Sequence, residues 1–175
     1  MSGGRRDEAE FRAFVERFSP TLLRAAFLLL RDRGAAEDAV QTALERTYRR
    51  WSAARRAPEP YSRQVLVNVC RNHWRTRARH PEEPVGASLP ALDPVVSEGL
   101  AVDERLTLDG LLAELSPSQR AVLVLRFYLD LSVAETATLL QIAEGTVKST
   151  THRAIDRLRN SLDEHPQEVS SHADR

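Results

Sequence analysis

The chain holds a single cysteine among 175 residues. Cys70 therefore cannot close an internal disulfide, and no partner cysteine or histidine stands at metal-ligand spacing. Long hydrophobic runs are also missing. The longest, Ala25 to Leu30, is flanked by Arg24 and Arg31 and falls far short of the roughly 20 residues of a membrane span. Arg5 and Arg6 near the start have no apolar segment behind them, so a secretory signal is not expected. No membrane insertion and a cytoplasmic location are the expectations. Glycine is sparse, with 7 residues, and none forms a glycine-rich phosphate loop or a nucleophile elbow. Paired histidines are absent too, so enzymatic chemistry has no candidate residues and neither cofactor nor metal is expected. Lysine is nearly absent: Lys148 stands alone beside 24 arginines, out of 25 basic residues.

What is present suffices for one medium or two small domains, with 42% hydrophobic and 29% charged residues. The formal net charge of zero hides an asymmetry. From Arg46 to His80 the arginines are opposed only by Glu59, whereas from Pro81 to Ser116 the acids Glu82, Glu83, Asp93, Glu98, Asp103, Glu104, Asp109 and Glu114 face Arg105 alone. A basic block followed by an acidic one suggests a polyanion-binding surface beside a segment that avoids polyanions. A solvated face in an arginine-rich chain is the plainer reading.

Apolar spacing predicts helices throughout and no convincing strand. Phe11, Phe14, Val15, Phe18, Leu22, Leu23, Ala26 and Leu29 form one stripe, with Pro20 expected to begin a new helical turn or segment within it. Ala35, Ala39, Val40, Ala43, Leu44, Thr47, Tyr48 and Trp51 form a second. Ala57-Pro58-Glu59-Pro60 reads as a rigid break, followed by a third helix from about Tyr61 to Arg79 with Val65, Leu66, Val69, Cys70 and Trp74 inward. The fold class is thus all-α. An N-terminal helical bundle at 7–80 and a C-terminal four-helix domain at 103–163 are joined by a flexible acidic, proline-containing linker at 81–102, with a disordered tail at 164–175.

In the second domain, Leu106, Leu108, Leu111, Leu112 and Leu115 open a helix. Ser116-Pro117 starts the next, and Ser132 with Glu135 forms a capping box. From Leu131 to Leu158 a short helix, a break at Gln141-Ile142-Ala143 and a second helix from Glu144 follow one another. The second helix places Thr146, Lys148, Ser149, Thr151, His152 and Arg153 outward and Val147, Ala154, Ile155 and Leu158 inward. A tight turn between two short helices, the second rich in donors, suits insertion into a DNA major groove. His152 has no partner ligand at usable spacing and reads as an exposed polar contact.

Three pieces, in this order and spacing, resemble the extracytoplasmic-function group of bacterial RNA polymerase sigma factors. Ala36-Glu37-Asp38-Ala39-Val40-Gln41-Thr42-Ala43 is similar to the group's D-x-V-Q helix. Tyr61-Ser62-Arg63-Gln64-Val65-Leu66-Val67-Asn68 leads into the arginine-rich helix. Ser116 to Tyr128 precedes the helix-turn-helix through Gly145-Thr146-Val147-Lys148-Ser149. The resemblance covers about residues 10 to 80 and 103 to 162. It implies a non-catalytic specificity subunit that binds core RNA polymerase and directs promoter-specific initiation. Asp38 and Gln41, with Glu37, would dock on the β′ clamp coiled coil, and the β flap would be a second polymerase contact. Arg55, Arg56, Tyr61, Asn68, Arg71, Asn72, Arg75 and Arg77 would bind and open the −10 element. Thr146, Lys148, Ser149, Thr151, His152 and Arg153 would read the −35 element. An anti-sigma factor is a further partner that the resemblance allows.

The residues support these roles in part. Asp38 and Gln41 lie three apart on one face, as would also hold for an ordinary solvated face. Opening a duplex costs a few kcal/mol per unstacked step, which arginine–phosphate contacts and a base pocket can recover. The Pro58–Pro60 segment is expected to shape that pocket, Tyr61 to stack in it or serve the core, and Asn68 and Asn72 to offer donor and acceptor to a base edge. Trp74 reads better as a core residue. Gln141 stands where the group commonly has glycine and Ala143 where it commonly has a serine cap, each expected to cost about 1 kcal/mol. A regulator using the helix-turn-helix alone is the competing reading; it leaves the basic block at 46–80 without a role.

Overall fold

The computed structural model describes residues 3–79 and 110–164. The expected linker at 81–102, Leu106 and Leu108 lie outside the described residues, as does the expected tail beyond Glu164. Two compact units divide the chain, residues 1–96 and 97–175. Among the described residues every regular element is helical, and no helix is long and apolar enough to cross a membrane.

In the first unit, α1 (Gly3–Leu30) runs unbroken through Pro20, where the sequence suggested a new helical turn or segment. A proline inside a helix costs about 3 kcal/mol. Here Leu22, Ala25, Ala26 and Leu29 just beyond it are 0–1% exposed, and their burial outweighs that cost. The α2 helix (Arg33–Arg49) starts at Asp32, whose carboxylate accepts from the Ala35 N–H at 2.9 Å. It buries Ala36, Ala39, Val40, Ala43 and Thr47, while Leu44 and Tyr48 from the expected stripe stay partly or largely exposed. Trp51 belongs not to α2 but to the single turn α3 (Trp51–Ala54), and is buried against Phe11 and Phe14 at 5.1 and 5.6 Å between ring centroids.

Helix α4 (Pro58–Arg79) begins at the prolines rather than after them. Pro58 and Pro60 occupy its first turn, where a missing N–H removes no helical hydrogen bond. The expected stiff loop therefore does not exist. Ser62, Leu66, Val67 and Cys70 face inward, and Val65, Val69 and Trp74 are only partly buried. The inner face is wider than the sequence stripe because α4 packs against both α1 and α2.

In the second unit, a helical segment at 110–114 (α5) precedes α6 (Pro117–Leu123). Ser116 and Gln119 close a capping box on α6. The buried Arg120 turns back onto α5, its Nε donating to the Leu112 carbonyl at 3.0 Å and Nη2 to the Leu115 carbonyl at 2.9 Å. It adds donors to carbonyls at the end of α5, where helical partners run out. The α6 helix continues as a π-helical turn, Val124–Tyr128. Asp130 then takes φ 49°, and the Arg126 guanidinium donates to the Leu131 carbonyl.

The expected capping box of α7 (Val133–Leu140) is present: Ser132 Oγ accepts from Glu135 N at 3.1 Å, and Glu135 Oε2 from Ser132 N at 2.8 Å. Gln141 ends the helix in the left-handed region, φ 56° and ψ 47°. Ile142 N donates to the Ala137 carbonyl at 3.0 Å, six residues closing one ring. The last helix, α8 (Glu144–Glu164), opens with the Ala143 carbonyl accepting from Thr146 and Val147 at 2.9 and 3.1 Å. Glu144 in its first turn faces the positive helix end.

Gln141→Gly removes a left-handed penalty of roughly 1–2 kcal/mol and adds a smaller entropic cost. The second unit is expected to gain about 0.5–1 kcal/mol, read as a rise of a few degrees in thermal midpoint; an unchanged or lower midpoint contradicts the turn geometry. Burial pushes the Cys70 thiol up from 9.0 to about 12. Its share of stability is complete below pH 9 and falls between 9 and about 12, where the unfolded chain ionises first. At pH 8 the native protein should resist iodoacetamide, and urea-unfolded chain should react freely.

Candidate nucleic-acid interface

The outward face of α8 follows from its inward one. Val147 and Ala154 have no exposed surface, and α8 packs on α6 and α7 through this side. A helix that buries positions 147 and 154 must turn 146, 148, 149, 152 and 153 outward. Thr146, Lys148, Ser149, His152 and Arg153 are exposed and Thr151 is half-buried, its hydroxyl donating to the Val147 carbonyl at 2.8 Å. Five of the six expected residues thus share one open surface with Thr151 at its edge.

Their electrostatic states differ. Arg153 lies back along its own helix, Nε donating to the Ser149 carbonyl at 3.2 Å. His152 Nε2 sits 3.3 Å from Asp156 Oδ2, and Arg159 reaches the same carboxylate at 3.6 Å. Lys148 makes no ion pair among the described residues. Exposed pairs of this kind contribute at most about 1 kcal/mol, so Arg153 can swing toward a phosphate at little cost.

The first unit carries a second basic surface. The last turn of α2 and the first half of α4 enclose an open cleft of about 270 Å³ lined by Arg46, Arg49, Arg50, Tyr61, Val65 and Asn68. Tyr61, Val65, Asn68, Asn72, Arg75 and Arg79 succeed one another at spacings of three and four, one continuous stripe along α4. Asn72, Arg75 and Arg77 are exposed, and Arg71 is half-buried. The cleft takes the place of the pocket expected from Pro58 and Pro60. Arg46, Arg49 and Arg50 enter it because α2 ends there, a proximity that no local pattern encodes.

Arg55 does not join this surface freely. Its Nη1 lies 3.1 Å from Asp7 and 3.9 Å from Glu10 on α1, while Arg56 is exposed in the turn beyond α3. Glu59, the one acid of the basic block, is shared between Arg17 at 3.3 Å and Arg63 at 3.2 Å, and the Arg63 guanidinium also stacks 5.4 Å over Phe18.

On α2, Glu37, Asp38 and Gln41 are all exposed. Glu37 pairs with Arg33 at 2.9 Å, and Gln41 Nε2 donates to Glu45 at 3.3 Å. Asp38 makes no ion pair among the described residues. Glu37 and Gln41 also form the rim of an apolar groove of about 510 Å³ between α1 and α2, floored by Phe11, Val15, Leu44 and Tyr48. Tyr48, which falls on the expected apolar stripe of α2, is 49% exposed at this groove.

Residues 14–80 match the family described as Sigma-70 region 2, and residues 105–158 match Sigma-70 region 4. The chain is 42% identical over 156 residues to the RNA polymerase sigma-E factor of Streptomyces avermitilis, covering 88% of this chain and 86% of that protein. It is 35% identical over 170 residues to the ECF RNA polymerase sigma factor SigL of Mycobacterium tuberculosis, covering 94% and 96%. The fold is similar to that of the sigma factor RpoE of Bartonella quintana, solved in complex with the anti-sigma factor NepR, with a TM-score of 0.67 at 24% identity over 87% of this chain and 98% of that one. It also resembles CnrH, solved with the cytosolic domain of CnrY, with a TM-score of 0.62 at 20% identity over 89% and 88%. With both regions matched in order and relatives of this identity spanning nearly the whole chain, the protein belongs to the extracytoplasmic-function group of RNA polymerase sigma factors, which direct promoter-specific transcription initiation.

Proposed function

We propose that the two units divide promoter recognition between them, the α2–α4 cleft and α4 stripe binding and opening the −10 element and α8 reading the −35 element. The observation that carries this is the continuity of the α4 stripe with the basic cleft: Tyr61 and Asn68 meet Arg46, Arg49 and Arg50 there, and Asn72 and Arg75 extend the same face. Such a surface tracks a phosphate backbone with cations and offers an aromatic ring and an amide to an unstacked base. Arg56 and Arg77, exposed nearby, add to the field. Arg55, held by Asp7, acts first as a tie between α3 and α1.

The exposed Asp38, Gln41 and Glu37 face of α2 is the docking surface for the β′ clamp coiled coil, and the second unit meets the β flap. An acid-and-amide patch beside an apolar groove suits a partner helix carrying arginine and apolar side chains. The protein itself supplies no catalytic group and works in the cytoplasm as a specificity subunit. The solved complexes of RpoE with NepR and of CnrH with CnrY support an anti-sigma partner for this chain as well.

Two variant pairs test the division. Lys148→Ala and Arg153→Ala should each weaken holoenzyme binding to −35-containing DNA by about threefold to tenfold, while co-elution with core polymerase stays intact; equal loss of polymerase binding would give α8 another role. Arg71→Ala and Arg75→Ala should lower affinity more for pre-opened bubble templates than for closed duplex. Equal losses on both templates contradict strand capture.

A further inference from the structure

Gln64 stands one helical turn before Asn68, which lines the α2–α4 cleft. The Gln64 Nε2 donates to Asn68 Oδ1 at 3.4 Å. That bond occupies one lone pair of the Asn68 carbonyl oxygen along the helix, and Asn68 Nδ2, with two N–H groups, is the end of the amide without a hydrogen bond among the described residues. The other fixed polar groups of the cleft are guanidinium groups, which only donate. Arg46 and Arg50 make no ion pair among the described residues, and Arg49 is drawn to Glu45 at 3.7 Å. Val65 is apolar, and the side-chain acceptors in the lining are the Tyr61 hydroxyl and the remaining lone pair of Asn68 Oδ1. The cleft therefore presents mainly donors.

We propose that the cleft selects, within the promoter strand, a base bearing a ring carbonyl over one bearing an amino group at the same place. At the 6- or 4-substituent guanine and thymine offer the carbonyl acceptors O6 and O4, whereas adenine and cytosine present the N6 and N4 amino groups; N7 is common to both purines and does not discriminate. A carbonyl meets the Asn68 Nδ2 or an arginine N–H directly. An amino group meets donors, and both partners lose their hydrogen bonds to water without replacement. One correct contact against one mismatched contact corresponds to a discrimination of about tenfold. Gln64 touches no base in this scheme; it is a positioning residue acting through Asn68.

The inference rests on reading the cleft as part of the strand-binding surface, and one experiment separates the two. Full-length protein bound to core polymerase is used to select from single-stranded dodecamers of random sequence, with core polymerase alone as the reference, and the retained strands are sequenced. The expected result is one position at which guanine plus thymine exceed adenine plus cytosine about tenfold. The isosteric Gln64→Glu carries a carboxylate that accepts from Asn68 Nδ2 and turns the amide, so that Oδ1 faces the cleft. The preference at that position should then invert. Gln64→Ala leaves the amide free to turn and should bring the ratio close to one, with total retention unchanged within about twofold. Absence of any such position in the wild type, or a bias that Gln64→Glu leaves intact, overturns the inference while the strand-binding reading survives on retention alone. Retention no greater than that of core polymerase overturns both.

Discussion

Burial of one helix face is the constraint on which the outward chemistry of this protein depends. In α8, Val147 and Ala154 are sealed against α6 and α7, so the rotation of the helix is set and Lys148, Ser149 and His152 have nowhere to point but outward. In α4, Leu66, Val67 and Cys70 play the same part, fixing Tyr61, Asn68, Asn72 and Arg75 on the open side. Neither proposed recognition surface needs a dedicated loop. Each is the polar remainder of a helix whose apolar side is fully committed, and mutations in the buried face would disturb recognition by rotating or loosening the helix.

Arginine does two jobs in this chain, and its partners show which. Arg17, Arg55 and Arg63 reach acids on other elements or in the same turn and tie α1 to α3 and α4. Arg120 is buried and serves carbonyls. Arg46, Arg50, Arg75 and Arg77 make no such pairs among the described residues and leave a positive field around the cleft. Surface pairs are individually weak, so the sorting matters less for stability than for where positive charge remains available to a phosphate backbone. A formal net charge of zero is compatible with strong polyanion binding because the acids are placed elsewhere.

Local patterns carried much of this architecture. Helical periodicity located the major helices, and the Ser116 and Ser132 caps marked two helix starts correctly because capping chemistry is confined to a few consecutive residues. Gln141 was legible as a left-handed turn residue only through the family resemblance, which puts glycine at that place. What the sequence did not disclose depends on tertiary packing. Pro20 stays inside α1 because distant residues bury its flanks. Trp51 swings into its own turn to reach Phe11 and Phe14. The π-helical turn at Val124–Tyr128 and the buried Arg120 have no local signature. The cleft formed by Arg46, Arg49 and Arg50 with Tyr61 and Asn68 exists only where α2 and α4 meet; the prolines that seemed to build it are simply the first turn of α4.

Run-off transcription with purified core polymerase, followed by sequencing of transcript 5′ ends across a genomic template, tests the central claim most directly. With this protein added, starts should concentrate at a limited set of sites that share two short sequence elements at a fixed separation, and core polymerase alone should not use those sites. An unchanged distribution of starts, or new starts with no shared upstream elements, would contradict the account.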